Sequence, residues 1–153
     1  MKIEFPSKSL FVNHNQKMIH APALALTFSY PSGNIRKEVL IDTCAWHSVF
    51  PLSLASQIGI HDVTQLPTIP IQSASGHFIT GYSATVDMII QDPYNSRRQF
   101  EWRAEILLAH ITTNLYGVLG HVGFFEFFDF NLLRDRFQIN QNAAFQGSIT
   151  DFP

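Results

Sequence analysis

The stretch Val39-Leu40-Ile41-Asp42-Thr43-Cys44-Ala45-Trp46-His47-Ser48-Val49-Phe50 constrains this chain more than any other. An apolar, β-type run delivers one carboxylate, then a hydroxyl and small residues, and the chain returns to apolar character at Ser48-Val49-Phe50. That pattern predicts two buried strands with Asp42 in the loop between them. Burying a carboxylate costs several kcal/mol unless hydrogen bonds or a shared proton compensate it. The plainer alternative is a strand-terminal aspartate that bonds its own turn.

Composition narrows what surrounds this stretch. A chain of 153 residues suits one domain with a sizeable core, or one half of a symmetric dimer. Apolar residues make up 46% and charged residues 14%, as expected of a globular protein with much buried or interfacial surface. A net charge of −2, with no block of like charges, gives no footprint for nucleic acid or a membrane surface. With Cys44 as the one cysteine, no intrachain disulfide forms and a reducing compartment is favoured. Met1 to Pro6 lacks the apolar run of a signal peptide, and no window approaches the roughly 20 apolar residues of a spanning helix. The expectation is a soluble, cytoplasmic protein.

Taken in order, the chain reads as many short strands. Residues 1–22 form an N-terminal extended segment with a turn at Asn13-His14-Asn15-Gln16. Ala23 to Tyr30 places Leu24, Leu26, Phe28 and Tyr30 on one side, the alternation of a half-buried strand. Pro31-Ser32-Gly33-Asn34 turns the chain, and Ile35 to Ile41 completes a hairpin that runs into Asp42. Pro51 to Gly59 suits a short helix, with proline in its first turn and Gly59 just past its end.

After a proline-punctuated connection, Ile71 to Thr80 reads as a hairpin around Ser75-Gly76. Gly81 then breaks the line before a strand over Ala84–Ile90. Gln99 to Leu108 returns with Phe100, Trp102, Ala104 and Ile106 on one face, and Arg97-Arg98 at its start reads as part of a solvated turn. Leu115 to Phe128 starts as a buried strand and turns into a short apolar helix, and Phe128 to Ile139 makes a last hairpin. Residues 140–153 read as a polar tail without a pattern, partly disordered. The sum is an all-β, barrel-like domain over residues 23–139 with one or two short helices.

In this order the parts resemble the retropepsin-like (retroviral-type) aspartic peptidases, over roughly Ala23 to Ile139. The carrying residues are Leu40-Ile41-Asp42-Thr43-Cys44-Ala45 followed by Ser48-Val49-Phe50, the Ser73–Phe78 hairpin in the place of the flap, and Val118-Leu119-Gly120 followed by an aromatic stretch and closing strands. The resemblance implies a closed acid-protease barrel with a flap hairpin. It implies a homodimer in which Asp42 meets its symmetry copy, one proton is shared, and the pair activates a water against a peptide bond. Thr43 would tie the two loops together, Cys44 and Ala45 would support them, and the hairpin of Ser75, Gly76 and His77 would close over an extended peptide. No metal or other cofactor is implied.

The family has glycine where this chain has Cys44, and often a polar or acidic residue after the alanine, where Trp46 and His47 stand. A side chain at that crowded point either narrows a working cleft or leaves a catalytically inactive dimer that binds peptides or serves as a structural module. A third outcome is an intersubunit disulfide, which needs the two Cβ atoms within roughly 3.5–4.5 Å. Cys44 and His47 as nucleophile and base are conceivable, but a small buried cysteine is the simpler expectation. The histidines show no close ligand pairing of the His-x-x-x-His kind. His77 and His121 line the cleft or dimer contact on one reading and are surface or supporting groups on the other. The Phe124–Phe130 cluster is expected to serve core and dimer packing rather than a ligand.

Overall fold

The structure, a computed structural model, describes residues 1–12, 17–73, 75–111 and 115–152. The expected turn at Asn13 to Gln16 lies outside the described residues, as does Ala74 of the flap hairpin. The described residues are mostly β-strand. Its strands are β1 (Lys2–Pro6), β2 (Lys8–Val12), β3 (Lys17–Ala21), β4 (Ala23–Tyr30), β5 (Gly33–Ile41) and β6 (Val49–Pro51). The α-helix α1 (Ser53–Gln57) and a 3-10 turn (Val63–Gln65) lead to β7 (Thr68–Gln72), β8 (Phe78–Gln91) and β9 (Arg98–Ala109). Then follow β10 (Val118–Leu119), β11 (Phe128–Leu132), β12 (Arg136–Gln141) and β13 (Ser148–Asp151).

The pairings β9–β6–β10–β5–β4–β8 return to β9 and close a barrel, with β13 and β7 added at its margins. Closure removes most free edges and leaves an inside that alternate side chains must fill. Leu24, Leu26 and Phe28 of β4 do so, together with Ala84, Val86, Met88 and Ile90 of β8 and Phe100, Trp102, Ala104 and Ile106 of β9. Phe28 and Phe50 meet edge to face at 5.0 Å across this interior. A second, three-stranded sheet, β1-β12-β11, packs Ile3, Phe5, Phe128, Phe137 and Ile139 into the same core.

Several expectations are corrected. Gly81 does not interrupt its strand: β8 runs straight through it, paired with Ile69 on one side and Ala109 on the other. Glycine is needed there for space, since a Cβ would lie 2.7 Å from Ile71 Cδ1. Pro51 ends β6 instead of opening α1, while Gly59, at φ +83°, does stand just past the helix. No helix forms after Gly120, because Gly123 at φ +94° leaves the right-handed region and breaks the segment into turns. The C-terminal segment is not patternless, as β13 pairs with β9 from Ser148↔Glu101 to Asp151↔Arg98. Within the N-terminal extended segment, β1 is a strand of the second sheet. Arg98 is no solvated turn residue: it bonds Asp92 at 2.9 Å, Asp151 at 2.8 Å and the Lys2 carbonyl at 3.0 Å. No helix among the described residues is long and apolar enough to cross a membrane.

Candidate functional site

Asp42 stands where β5 ends, and the short strand β10 holds that end in place. β10 runs parallel to β5 (Val118↔Leu40, Leu119↔Ile41) and antiparallel to β6 (Val118↔Val49). The Asp42–Ser48 loop therefore leaves one neighbour of β10 and returns on the other. The Leu119 carbonyl accepts the Asp42 N–H at 3.0 Å, and the Asp42 carbonyl accepts the Ala45 N–H at 3.1 Å. Asp42 Oδ1 accepts the Cys44 N–H at 2.9 Å. That bond alone is the ordinary turn-closing role of an aspartate. The frame of strands around it holds the loop in place, and Asp42 as a residue is half-buried.

Glycines bring the return segment this close. A Cβ on Gly120 would lie 2.5 Å from the His47 carbonyl oxygen and 2.6 Å from that of Ala45, and one on Gly117 would lie 2.7 Å from the Val49 oxygen. Backbone bonds follow from this approach: His121 N–H to the Ala45 carbonyl at 2.9 Å and Val122 N–H to that of Trp46 at 2.8 Å. Ser48, fully buried, stitches the layers, accepting the Gly120 N–H at 3.0 Å and donating to the Val122 carbonyl at 2.8 Å. Glu126 Oε2 accepts the Gly123 N–H at 2.6 Å, which secures the next turn.

The side chains expected at the site divide into two groups. Thr43, Cys44, Ala45, Trp46 and His47 lie together in the Asp42 loop against Gly120–Val122. Thr43 and Cys44 are exposed in the single chain, so the expectation of a small buried cysteine is overturned. Among the described residues no hydrogen bond joins Cys44 to His47. His121 sits over this loop, its Nε2 3.1 Å from the Thr43 carbonyl oxygen and its ring stacked on Trp46 at 5.7 Å.

Ser75, Gly76 and His77 form the second group, at the exposed tip of the β7–β8 hairpin. Gly76 adopts φ +84°, with its N–H on the Ser73 carbonyl at 2.9 Å, and Ser73 N–H bonds the His77 carbonyl at 2.8 Å. No hydrogen bond among the described residues links this tip to the Asp42 loop. A concavity of about 600 Å³ lies elsewhere, lined by Arg103, Glu105, Glu126 and Gln146 among others, and contains none of the expected site residues.

Two contributors escape a reading of the sequence. Ser48 was legible as part of the motif, but its burial and double bond depend on Gly120 and Val122, more than seventy positions away. Phe78, named only as the end of the flap hairpin, is paired with Gln72 beside the tip and is 67% exposed, which its sequence neighbours do not mark.

With this geometry in hand, the solved structures supply one informative likeness. The chain resembles a retropepsin-like aspartic protease from Rickettsia conorii with a TM-score of 0.56, over 91% of this chain and 90% of that one, at 14% sequence identity. At that identity the likeness defines the fold class, a retropepsin-like all-β barrel. No family model and no curated protein matches the sequence.

Proposed function

We propose that the protein is a homodimeric aspartic endopeptidase in which Asp42 of each copy contributes one carboxylate to a shared dyad. The observation that carries this is the placement of Asp42: at the end of β5, against β10, its loop clasped by Gly120 and Ser48. Two carboxylates at hydrogen-bond distance cannot both ionise cheaply, so the pair keeps one proton and supplies an acid and a base together. The base takes a proton from the water between them as that water attacks the scissile carbonyl, and the acid protonates the carbonyl oxygen. Ser75, Gly76 and His77 close over an extended peptide, a motion that the exposed tip and the positive φ of Gly76 permit. Trp46 and His47 line the cleft beside the dyad. The exposure of Thr43 and Cys44 in the single chain fits a cleft of which one chain builds half.

The exposed Cys44 favours a second reading, a dimer of the same fold that binds peptides without cleaving them. Cleavage of an unstructured test protein at mildly acid pH decides between the two. Wild-type cleavage that Asp42→Asn abolishes is the expected result, and cleavage that survives Asp42→Asn sinks the peptidase reading. An inert wild type beside an active Cys44→Gly variant establishes the binding module instead.

A further inference from the structure

Strand β9 has two edges, and three hydrogen bonds show which residues serve the one turned away from β8. Leu107 N–H bonds the Ser48 carbonyl at 2.9 Å, the Ala109 carbonyl accepts Leu52 N–H at 3.1 Å, and the Arg97 carbonyl accepts Phe152 N–H at 3.4 Å. Every second residue therefore faces that side. The β8–β9 register is unbroken from Gly81↔Ala109 to Gln91↔Gln99, so Arg103 and Glu105 also direct their backbone N–H and C=O groups there.

Strands cover only the two ends of this edge. β13 pairs with β9 from Arg98 to Glu101, and β6 pairs with it from Leu107 to Ala109. In between, no strand among the described residues lies on this edge, and no turn or loop backbone bond reaches Arg103 or Glu105. Two glycines bound the gap. Gly147 stands against the Glu101 carbonyl, and a Cβ on Gly123 would lie 2.6 Å from the Glu105 carbonyl oxygen. Those two carbonyls are about 13 Å apart along an extended strand. One partner residue fits opposite Arg103, and Gly123 and Gly147 turn a longer strand out of the sheet.

The gap opens into the concavity of about 600 Å³, a volume in the range of binding sites. Its charge is unbalanced at the Gly123 end. Arg103 is drawn to Asp87, 3.7 Å away, whereas neither Glu105 nor Glu126 belongs to an ion pair among the described residues. Glu126 spends one oxygen on the Gly123 N–H at 2.6 Å, which sets its carboxylate beside the Glu105 backbone. Val122 and Phe127, both half-buried, wall the same space. An unpaired backbone donor and acceptor ask for a peptide, and the two carboxylates ask for a cation on it.

We infer that this gap docks an extended peptide segment of another protein, carrying a basic residue two positions before the one that pairs with Arg103. The pairing residue exchanges its N–H and C=O with those of Arg103, as in an antiparallel ladder. Two positions earlier in an antiparallel partner lies the same face of the sheet, opposite Glu105. The basic side chain lays its stem on Val122 and Phe127 and its cation between Glu105 and Glu126. No residue of the Asp42 loop or of the Ser75–His77 tip lines this site, so it stands apart from the peptidase reading.

The probe is a fluorescein-labelled Ala-Arg-Ala-Thr-Ala peptide, amidated at its end, titrated into the full chain by fluorescence anisotropy. Nitrogen-15 spectra of the same mixture locate the contact. Saturable binding that moves the Arg103 and Glu105 amide signals is expected, equally in wild type and Asp42→Asn. The double variant Glu105→Gln with Glu126→Gln keeps an oxygen for the Gly123 N–H, and is expected to raise the dissociation constant about fivefold or more. A peptide with glutamate in place of arginine, and one N-methylated at the threonine amide, are expected to bind at least as poorly. Absence of saturable binding up to millimolar peptide overturns the inference. So does a folded double variant that binds as wild type, or an N-methylated peptide as tight as the parent. Signals that move only in the Asp42 loop and the Ser75–His77 tip, or binding lost in Asp42→Asn, assign the peptide to the candidate cleft and overturn it too.

Discussion

Ser48 and Gly120 are joined by a buried hydrogen bond of 3.0 Å, from the glycine N–H to the serine Oγ, although 72 positions separate them. The same hydroxyl donates to the Val122 carbonyl at 2.8 Å. One side chain thus ties the end of the Asp42 loop, at the start of β6, to the segment that follows β10. Removing it in Ser48→Ala leaves the Gly120 N–H unpaired in a dry setting, at a cost of about 1–3 kcal/mol. Chemical denaturation is expected to show that loss with an unchanged slope, and cleavage, where present, falls with it.

Gly120→Ala is expected to be worse than its size suggests. The added Cβ meets the carbonyl oxygens of His47 and Ala45 at 2.5 and 2.6 Å, and both belong to backbone that cannot swing aside like a side chain. Overpacking of this kind costs roughly 1–3 kcal/mol or more. The strain falls on the Asp42 loop itself, so a folded Gly120→Ala protein should lose activity out of proportion to its fall in melting temperature.

Arg98 ties three distant pieces of chain, bonding Asp92 in the hairpin turn, Asp151 in β13 and the Lys2 carbonyl in β1. Asp92 is buried and also accepts the N–H groups of Tyr94 and Asn95 at 2.9 and 3.2 Å. Arg98→Ala leaves that carboxylate without its cation, a loss of about 1.5–3 kcal/mol. Faster proteolysis near Ser148 than in wild type is the local readout, because β13 loses an anchor.

Asp62 gives a pH signature. Hydrogen bonds from the Thr64 side chain and backbone, and from Gln65, hold its carboxyl below the ordinary 3.8. A folded-state value below the unfolded one means stability that is present above the ordinary value and lost as pH falls through the folded one. The melting-temperature gap between wild type and Asp62→Ala is therefore expected at neutral pH and should narrow once the pH drops below 3.8. A gap that persists in acid contradicts the charge as its origin.

Local pattern made the strands legible because alternation reports burial directly. Leu24, Leu26 and Phe28, and then Phe100, Trp102, Ala104 and Ile106, all face the core that their spacing implied. Asp42 was legible as a loop residue for the same reason, being one carboxylate between two apolar runs. Glycine was where local reading failed. Gly81 reads as an interruption and Gly123 does not, yet Gly81 sits inside a continuous strand and Gly123 takes a positive φ where a short helix was expected. Only the neighbours of each, Ile71 in one case and the Glu105 carbonyl in the other, decide which.

The sequence by itself determined that an all-β barrel would form, and that Asp42 would stand at the end of an apolar strand. Tertiary structure decided what surrounds that carboxylate. The parallel placement of β10, the Ser48–Gly120 bond, the His121 ring over Thr43 and the exposure of Cys44 all arise from contacts between segments far apart in the chain. The reason is physical: hydrophobic alternation is a property of neighbours along the chain, whereas close backbone approach and buried polar pairing depend on which strands the barrel's closure brings side by side.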